Sequence, residues 1–452
     1  MDATTGRLVE RTLAARFEAL PPEVVEACKA RLLDSLACIA AAYRHPLSIA
    51  ARSLAERYRT QSGATVLGAG MRVVPEMAAI ANGVMLRVLD LSDMYRTKSG
   101  GHPSDVIAAL LAAAEMGARD GRSLVTAIAV AYEVYCSGCD AFDFNSKGWD
   151  QPVYGVMAAA LASGKLLGLD RDRLGHALSL ALVPNMAMYQ TRQGELSSWK
   201  GCAGANASRN GLFAAFLAQS GFTGPEAVLE GKHGLWDAVG RFEWPVMTDA
   251  CRRILQTHIK CFPICYHGQS AVWAALKIRD RVAVEGIESV RIDTYRTAFD
   301  LMAGAPSRWS PATAETADHS LPYVVARALL DGGIDEGAFK PEALHEPRAR
   351  ELMARTQVFE DPALSSRYPA CAPCRVTVRS AGRPEACGEV EFPKGHARSP
   401  MTSAEIESKA RALLQRSLDP GQTQRLIQAV RRLDRLDDVA ELFDAFSPSQ
   451  PA

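Results

Sequence analysis

The stretch "KCFPICYHGQSAVWAALKIRD", residues 260–280, marks the point where the pattern of apolar residues changes from helical to mixed helical and strand-like. Before it, apolar residues recur at helical spacing, as in "VVEACKARLLDSLACIAAA" (24–42). After it, helical text is interrupted by stretches such as "CRVTVRSAG" (374–382), whose period-two alternation is typical of strands. We therefore predict a helical domain at 1–264 and a smaller α+β domain at 265–398.

The last segment, residues 399–452, returns to helical spacing, as in "TSAEIESKARALLQRSL" (402–418). Its amphipathic faces need a partner, so we expect these helices to pack back on the first domain. The predicted fold class is mainly α with α+β.

Composition narrows the class of protein. Among 452 residues, 51 are Lys or Arg and 51 are Asp or Glu, so the formal net charge is zero. This balance does not favour nucleic acid or an anionic membrane as a partner. The charged N-terminus does not resemble a signal peptide, and apolar runs such as "VIAALLAAA" (106–114) are too short to span a bilayer. Eleven cysteines, an odd number, then indicate reduced thiols, and we expect a cytoplasmic, soluble protein.

No cofactor motif stands out. "GATVLGAG" (63–70) does not match the dinucleotide fingerprint, and no Walker loop is found. The pairs "CSGC" (136–139) and "CAPC" (371–374) have the spacing of zinc ligands, and with Cys261 or Cys265 one pair would supply the thiolates of an iron–sulfur cluster. Because the cysteines are scattered through apolar segments, we interpret them as core residues and predict no metal and no cofactor.

The stretch "GGHPSDVIAAL" (100–110) places a histidine at a predicted helix start. A helix N-terminus attracts carboxylates, and His102 would titrate near pH 7 as an acid or base. The alternative is that His102 merely caps the helix. Upstream, Asp90 and Asp93 are three residues apart and would share one face of a helix. Their alternative role is a solvated helix end.

Other polar residues fall at the predicted ends of elements, where binding sites are usually built. They are Arg192 and Lys200 before a small-residue helix, Lys260, Tyr266 and His267 at the domain junction, and Asp318, His319 and Tyr323 at a helix start in the second domain. Each alone is more often structural. Together they suit a small polyanionic substrate and acid–base chemistry without a cofactor.

Four segments resemble, in order, blocks of the MmgE/PrpD family, which includes 2-methylcitrate dehydratase, cis-aconitate decarboxylase and iminodisuccinate epimerase. They are "LDLSDMYRTKSGGHPSDVIAALLAAAE" (89–115), "WKGCAGANASRNGLFAAFLAQSGFTGPEAVLEGKHGLW" (199–236), "KCFPICYHGQSAVWAAL" (260–276) and "DHSLPYVVARALLDGG" (318–333). The resemblance implies a large all-helical domain that is discontinuous, formed from the N-terminal part plus the C-terminal helices. It also implies an α+β lid domain, a homodimer, a site between the domains and no cofactor.

The resemblance also implies residue roles. Asp90 matches the first acid of a D-x-x-D motif, His102 the histidine of H-P-S and Tyr323 the tyrosine of the lid motif. From the residues and the resemblance together, we predict that the catalytic residues are Asp90, His102, Lys200, His267 and Tyr323 and that the substrate-binding residues are Asp93, Arg96, Gln151, Arg192, Lys260 and His319. His102, oriented by Asp90, would move a proton next to a substrate carboxylate, while cations hold the carboxylates. Tyr323 or His267 would then protonate the leaving group or the product.

Two residues depart from the family pattern. Met94 stands where the dehydratases and decarboxylases usually have threonine, and Gln151 where a histidine is frequent. We predict a cofactor-independent lyase acting on a di- or tricarboxylate, most similar to 2-methylcitrate dehydratase. The alternatives are a decarboxylase or an epimerase, a non-catalytic polycarboxylate-binding member of the family and, last, an iron–sulfur hydro-lyase.

Overall fold

Helices make up most of the molecule. In the computed structural model, which describes residues 1–446, 58% of the residues are helical and 10% lie in strands. The predicted fold class, mainly α with α+β, is therefore confirmed.

The N-terminal part is a bundle of helices that begin at well-defined caps. Its helices are α1 (Ala3–Ala14), α2 (Pro22–Ala41), α3 (Pro46–Glu56), α4 (Pro75–Arg87), α5 (Ile107–Met116), α6 (Gly121–Ala141), α7 (Pro152–Leu166), α8 (Arg171–Leu182), α9 (Ala203–Gln219) and α10 (Leu235–Val239). Asp2, Asp120 and Asp170 each accept a hydrogen bond from the backbone N–H three residues on. Such a cap stabilises a helix by about 1 kcal/mol.

Helix α6 lies at the centre of this bundle. Its sequence is apolar around most of its circumference, as expected of a helix surrounded by others. It is long and apolar enough to cross a membrane, but 94% of its most apolar window is buried inside the protein, and the core helix of a soluble protein passes the same test. The bundle therefore encloses α6 on all sides.

Short strands interrupt the helical part, which is not purely helical. Strand β1 (Arg59–Val66) pairs antiparallel with β2 (Met71–Val73). Strand β3 (Tyr95–Arg96) pairs with β4 (Gly100–Gly101) in a tight hairpin just before His102. A Cβ atom on Gly101 would collide with the hydroxyl of Tyr135, so only glycine allows this hairpin to lie against α6.

The part that follows residue 260 has its own sheet and its own hydrophobic core, built from residues between Phe262 and Val390. Its strands are β5 (Ile287–Thr294), β6 (Thr356–Glu360), β7 (Cys374–Ser380) and β8 (Ala386–Val390). The order across the sheet is β6-β5-β7-β8, and only the β5–β6 pair is parallel. Its helices are α11 (Gln269–Ile278), α12 (Arg296–Met302), α13 (Ala314–Ala317), α14 (Leu321–Asp331), α15 (Pro341–Leu344), α16 (Pro347–Ala354) and α17 (Pro362–Ser365).

The C-terminal helices return to the first bundle. Helices α18 (Ser403–Leu414), α19 (Pro420–Arg431) and α20 (Ala440–Ala445) contribute buried residues such as Leu414 and Leu426 to the same core as α2 and α6. Lys409 of α18 forms a buried ion pair with Asp34 of α2, with 2.6 Å between Nζ and Oδ1. The larger core is therefore built from both ends of the chain.

Candidate active site

A cavity of about 100 Å³ lies where the helical bundle meets the α+β part. Of the residues that the sequence singled out as site residues, those that line it are Asp90, Arg96, His102, Gln151, Arg192, Lys260, His267 and His319. Lys200 and Asp93 do not line it but bond to residues that do, Lys200 to Asp90 and the Asp93 carbonyl to His102. Tyr323 is elsewhere. The cavity is therefore formed by side chains from both parts of the protein.

Asp90 is the centre of the charge network. It is not on a helix, because α4 ends at Arg87 and Asp90 has a left-handed backbone with φ of 49°. Strain of this kind recurs at functional sites, where the surroundings hold it in place. Its carboxylate accepts from Arg87 at 2.5 Å, from Lys260 at 2.7 Å and from Lys200 at 3.2 Å. Burial alone would raise the pKa of Asp90, but these three cations outweigh burial and hold it well below its usual range.

His102 does not cap the helix that follows it. No side-chain hydrogen bond reaches the first turn, Pro103–Val106; instead Nδ1 lies 2.7 Å from the carbonyl oxygen of Asp93 and Nε2 lies 2.6 Å from Arg87. A carbonyl only accepts and a guanidinium only donates, so Nδ1 carries the hydrogen and Nε2 the lone pair. Burial, with the positive charge of Arg87, lowers the pKa of His102 well below its ordinary value. His102 is thus a neutral imidazole whose lone pair accepts from Arg87, and both residues line the cavity.

The expected orientation of His102 by Asp90 is not a direct contact. Asp90 reaches the ring only through Arg87, whose guanidinium bonds to both side chains. Asp93 has a different task, accepting from the backbone N–H of Ser104 at 3.0 Å and from the Tyr132 hydroxyl at 2.7 Å. The two carboxylates therefore do not share a helix face, and neither is a solvated helix end, since both are buried.

Lys200 links the two parts of the protein. Its ammonium group lies 3.2 Å from Asp90 of the bundle and 2.7 Å from Asp318 of the α+β part, and its side chain is only 3% exposed. Asp90, Asp318 and His319 offer ligand atoms within 4.8 Å of one another, the one such group found among residues 1–446. Because the Lys200 ammonium already bonds to both carboxylates, we interpret the cluster as an ion-pair network, not as a metal site.

The α+β part contributes two histidines with opposite electrostatics. His267 donates to or accepts from the Tyr295 hydroxyl at 2.5 Å, and burial together with the charge of Arg96 lowers its pKa well below the ordinary value. The His319 ring bonds to Asp318 through Nδ1. Burial works against its charge, but Cys265 and Asp318 raise the pKa of His319 above the ordinary value. These surroundings favour the neutral form of His267 and the protonated form of His319.

Arginines surround the remaining wall. Arg192 bonds to Asp150 at 3.0 Å, and Arg96 donates from Nε to the hydroxyl of Tyr368 in the α+β part. Arg308 was not predicted from the sequence, yet it lines the cavity and is 5% exposed. Its Nε donates to the Leu301 carbonyl, but its Nη1 is buried without a hydrogen-bond partner in the described part of the chain. A buried guanidinium with an unused donor is suited to an anionic ligand.

Met94 and Gln151, the two residues that depart from the family pattern, both line this cavity. Gln151 accepts from the Tyr135 hydroxyl through Oε1, and its Nε2 lies 3.4 Å from Asp105. Met94 lines the wall beside Tyr266 and Tyr295. Both positions therefore stand where they would touch a bound molecule.

Tyr323 does not reach the cavity. It lies on α14 in the core of the α+β part, fully buried, and its hydroxyl donates to the carbonyl of Ala338. The phenols that border the cavity are those of Tyr189 and Tyr266. The role that the family resemblance implies for Tyr323 thus has no support from its position.

Comparison with known proteins identifies the family. The model of the MmgE/PrpD N-terminal domain matches residues 6–244, and that of the MmgE/PrpD C-terminal domain matches residues 262–435. The chain belongs to the MmgE/PrpD family. A 2-methylcitrate dehydratase of Cupriavidus necator is 30% identical over 85% of this chain and 85% of its own length. A cis-aconitate decarboxylase-like protein of Aspergillus oryzae is 28% identical over 95% of this chain and 94% of its own.

Three cavity residues of this MmgE/PrpD member went unrecognised as binding or acid–base groups. Arg87 is a lone charge at the end of an apolar helix, a pattern that signals a buried ion pair. Cys265 was considered only as a cluster ligand. Arg308 lies in an irregular segment, "GAPSRWS" (304–310), and nothing in the sequence connects it with the cavity. The family relation and the polar wall together point to lyase chemistry.

Proposed function

We propose that this protein is a lyase that removes a proton from the carbon next to a carboxylate of a small di- or tricarboxylic acid, in a dehydration like that of 2-methylcitrate. The observation that carries the proposal is the pair of histidines facing one cavity with pKa values moved in opposite directions, His102 down and His319 up. Environments that push two titratable groups apart in this way assign one as base and the other as acid.

His102 would act as the base. Its Nε2 lone pair accepts a hydrogen bond from Arg87, so a substrate must first draw the guanidinium away. A substrate carboxylate does this, because a carboxylate is a stronger acceptor for Arg87 than a neutral imidazole. Binding would thus uncover the base next to the carbon it attacks.

His319 would act as the acid. Its bond to Asp318 holds the ring, and its raised pKa favours the protonated form, which can supply the proton that a leaving hydroxyl needs. His267, the alternative expected from the sequence, is neutral and has its Nδ1 paired with Tyr295. We therefore prefer His319 to His267 and to Tyr323 for this step.

Cations on the wall would bind the substrate and stabilise the charge that develops in the transition state. Arg192, Lys260 and Arg308 line the cavity, and Arg308 has an unused donor. Charge that spreads onto carboxylate oxygens is stabilised most by cations already fixed in place. This arrangement supports a polycarboxylate over a neutral substrate.

Proton NMR in deuterated water, with chelator-treated protein and a panel of 2-methylcitrate, citrate and cis-aconitate, tests the proposal. We expect an alkene product or deuterium at the carbon next to the carboxylate. His102→Gln should lower turnover by about 10²–10⁴. His176→Gln is the matched control, since His176 accepts from the backbone N–H of Gly224 in the bundle and does not line the cavity. Equal losses in both variants, or full turnover in His102→Gln, would contradict the assignment.

Decarboxylation is the second candidate. The observation in its favour is that the cis-aconitate decarboxylase-like relative matches 95% of this chain, a longer span than the 85% matched by the dehydratase. The same NMR experiment separates the two reactions, because dehydration keeps every carbon in the product and decarboxylation releases carbon dioxide. Epimerisation would appear as inversion of a stereocentre without loss of water or carbon dioxide.

The homodimer and the cytoplasmic location stay predictions from the sequence. Light scattering on the purified protein checks the first, with twice the protomer mass as the expected result. Fractionation of the cells that produce the protein checks the second.

A further inference from the structure

Cys265 is in an unusual setting for a buried thiol. It lines the cavity, and its backbone N–H donates to the carbonyl of Asp318 at 2.9 Å, which joins its loop to the one that carries His319. The His319 imidazole bonds to the Asp318 carboxylate, and its charge is the one that acts most strongly on the Cys265 thiol. The order thiol, imidazole, carboxylate is the arrangement that activates a cysteine nucleophile.

The electrostatics differ from those of the other buried cysteines. Burial raises the pKa of the Cys38 thiol to about 12. Burial acts on Cys265 too, but the positive charge of His319, with Lys260 nearby, outweighs it and lowers the pKa of this thiol below the ordinary value. The thiolate is the reactive form, so Cys265 differs from structural cysteines such as Cys38.

Arg308 supplies an independent sign of a ligand beside this thiol. Its guanidinium lines the same cavity, is buried, and has Nη1 without a hydrogen-bond partner in residues 1–446. Cys265 and Asp318 are the charged groups that act most on it. Because both side chains line the same cavity, an anion held by Arg308 would share that cavity with the Cys265 sulfur.

We propose that Cys265, with His319 and Asp318, forms a nucleophilic site that adds covalently to α,β-unsaturated carboxylic acids held by Arg308. The Cys265 sulfur forms a bond to the β-carbon, and the π electrons of the double bond move to the α-carbon and its carboxylate. His319 then gives the α-carbon the proton that the thiol had passed to the imidazole. Nothing is oxidised or reduced, and the whole acid is retained as a thioether.

The choice of electrophile rests on the proposed function, because a dehydration next to a carboxylate leaves an α,β-unsaturated acid in the cavity. The proposal that Cys265, His319 and Asp318 form a reactive cluster does not depend on the proposed function. A covalent adduct on Cys265 would block the cavity. Accumulated product would therefore lower the turnover of the enzyme by reacting at this site. Alkylation is read by mass spectrometry and turnover by NMR, so the two proposals can fail separately.

Competitive alkylation with iodoacetate and iodoacetamide tests the site, with Cys387 as the internal control because it is the exposed cysteine of the chain. The two reagents differ by a negative charge. We expect the ratio of iodoacetate to iodoacetamide rates to be about tenfold or more higher at Cys265 than at Cys387, since cationic pockets concentrate anions. An equal ratio, or no alkylation at Cys265, would overturn the anion-directed site.

Maleate, an unsaturated dicarboxylate, tests the addition itself. We expect peptide mapping to find the intact acid on Cys265 and none on Cys387. Arg308→Gln should remove the preference for iodoacetate while iodoacetamide still reacts, and His319→Gln should slow both reagents at Cys265. Thermal unfolding checks that each variant is folded, and Cys265→Ser confirms the peptide assignment. Absence of a maleate adduct on folded wild-type protein would overturn covalent addition.

Discussion

Lys200 of the helical bundle and Asp318 of the α+β part form a buried ion pair across the cavity boundary, with 2.7 Å between Nζ and Oδ2. The same ammonium group bonds to Asp90, so one lysine holds the acidic centre of the bundle and the loop that carries His319. The position of the proposed acid relative to the proposed base therefore depends on this pair.

Lys200→Met should lower the free energy of unfolding by about 3–5 kcal/mol, because it leaves two buried carboxylates short of a partner. It should also abolish turnover, since His319 would no longer be fixed against the bundle. Lys409→Met is the matched control: it breaks a buried Lys–Asp pair between α18 and α2, and neither Lys409 nor Asp34 lines the cavity. Urea unfolding should show similar losses of unfolding free energy in the two variants, while only Lys200→Met should lose activity. A Lys409→Met variant as inactive as Lys200→Met would show that activity follows stability alone.

Asp105→Asn should change how stability depends on pH. Burial raises the pKa of Asp105 to about 6, and Arg87 opposes burial only in part. A raised carboxyl pKa means that the folded state holds its proton more tightly, so this stabilisation is present below about pH 4 and is lost as the pH rises to about 6. Asparagine does not titrate, so the variant does not lose this stabilisation. As the pH rises between those values, the unfolding free energy of the variant should therefore increase relative to that of the wild type by up to about 1.4 kcal/mol per pH unit.

The measurement is urea unfolding of both proteins at a series of pH values, with the difference between them plotted against pH. Above about pH 6 the difference should become constant. Parallel curves from pH 4 to pH 7 would mean that Asp105 does not hold a proton in the folded protein.

The sequence predicted the elements better than the contacts. The period of apolar residues was enough for the helices, whereas glycine with His-Pro left His102 open between a helix cap and an acid–base residue until the family resemblance was considered. The spacing of Asp90 and Asp93 misled because the chain leaves the helix after Arg87, and each carboxylate then finds different partners.

Tyr323 and Arg308 both show that tertiary contacts are hard to predict from sequence. Tyr323 was predicted as a site residue and lies outside the cavity, whereas Arg308 was not predicted and lines it. A phenol near a helix start predicts an element end, but packing against the sheet decides which face of α14 is buried, and Tyr323 falls on that face. Arg308 comes from a segment without periodic pattern and reaches the cavity only through the fold of the α+β part. Contacts made by tertiary packing leave no local signal in one sequence.

Tyr368→Phe should weaken substrate binding. Arg96 of the bundle donates to the Tyr368 hydroxyl of the α+β part, and a hydrogen bond to a charged group contributes about 1.5–3 kcal/mol. Without it, the α+β part closes less firmly, and KM for a polycarboxylate should rise roughly tenfold or more while kcat changes less. Tyr43→Phe is the control, since its hydroxyl donates to Gly68 at 2.9 Å and its ring lies under Arg52, both within the bundle. Steady-state kinetics that show the same KM for both variants would contradict a role for this contact in closure.

Met94→Thr should show whether the departure from the family pattern sets the substrate. Met94 lines the cavity beside Tyr266, and its thioether cannot donate a hydrogen bond, whereas a threonine hydroxyl can. We expect kcat/KM for 2-methylcitrate or citrate to rise about fivefold, the effect of one added hydrogen bond of about 1 kcal/mol. Met94→Val separates the hydroxyl from the change of shape, because valine and threonine have nearly the same volume. Both variants should lose similar unfolding free energy, and equal kcat/KM values in the two would mean that space, not a hydrogen bond, is what this position controls.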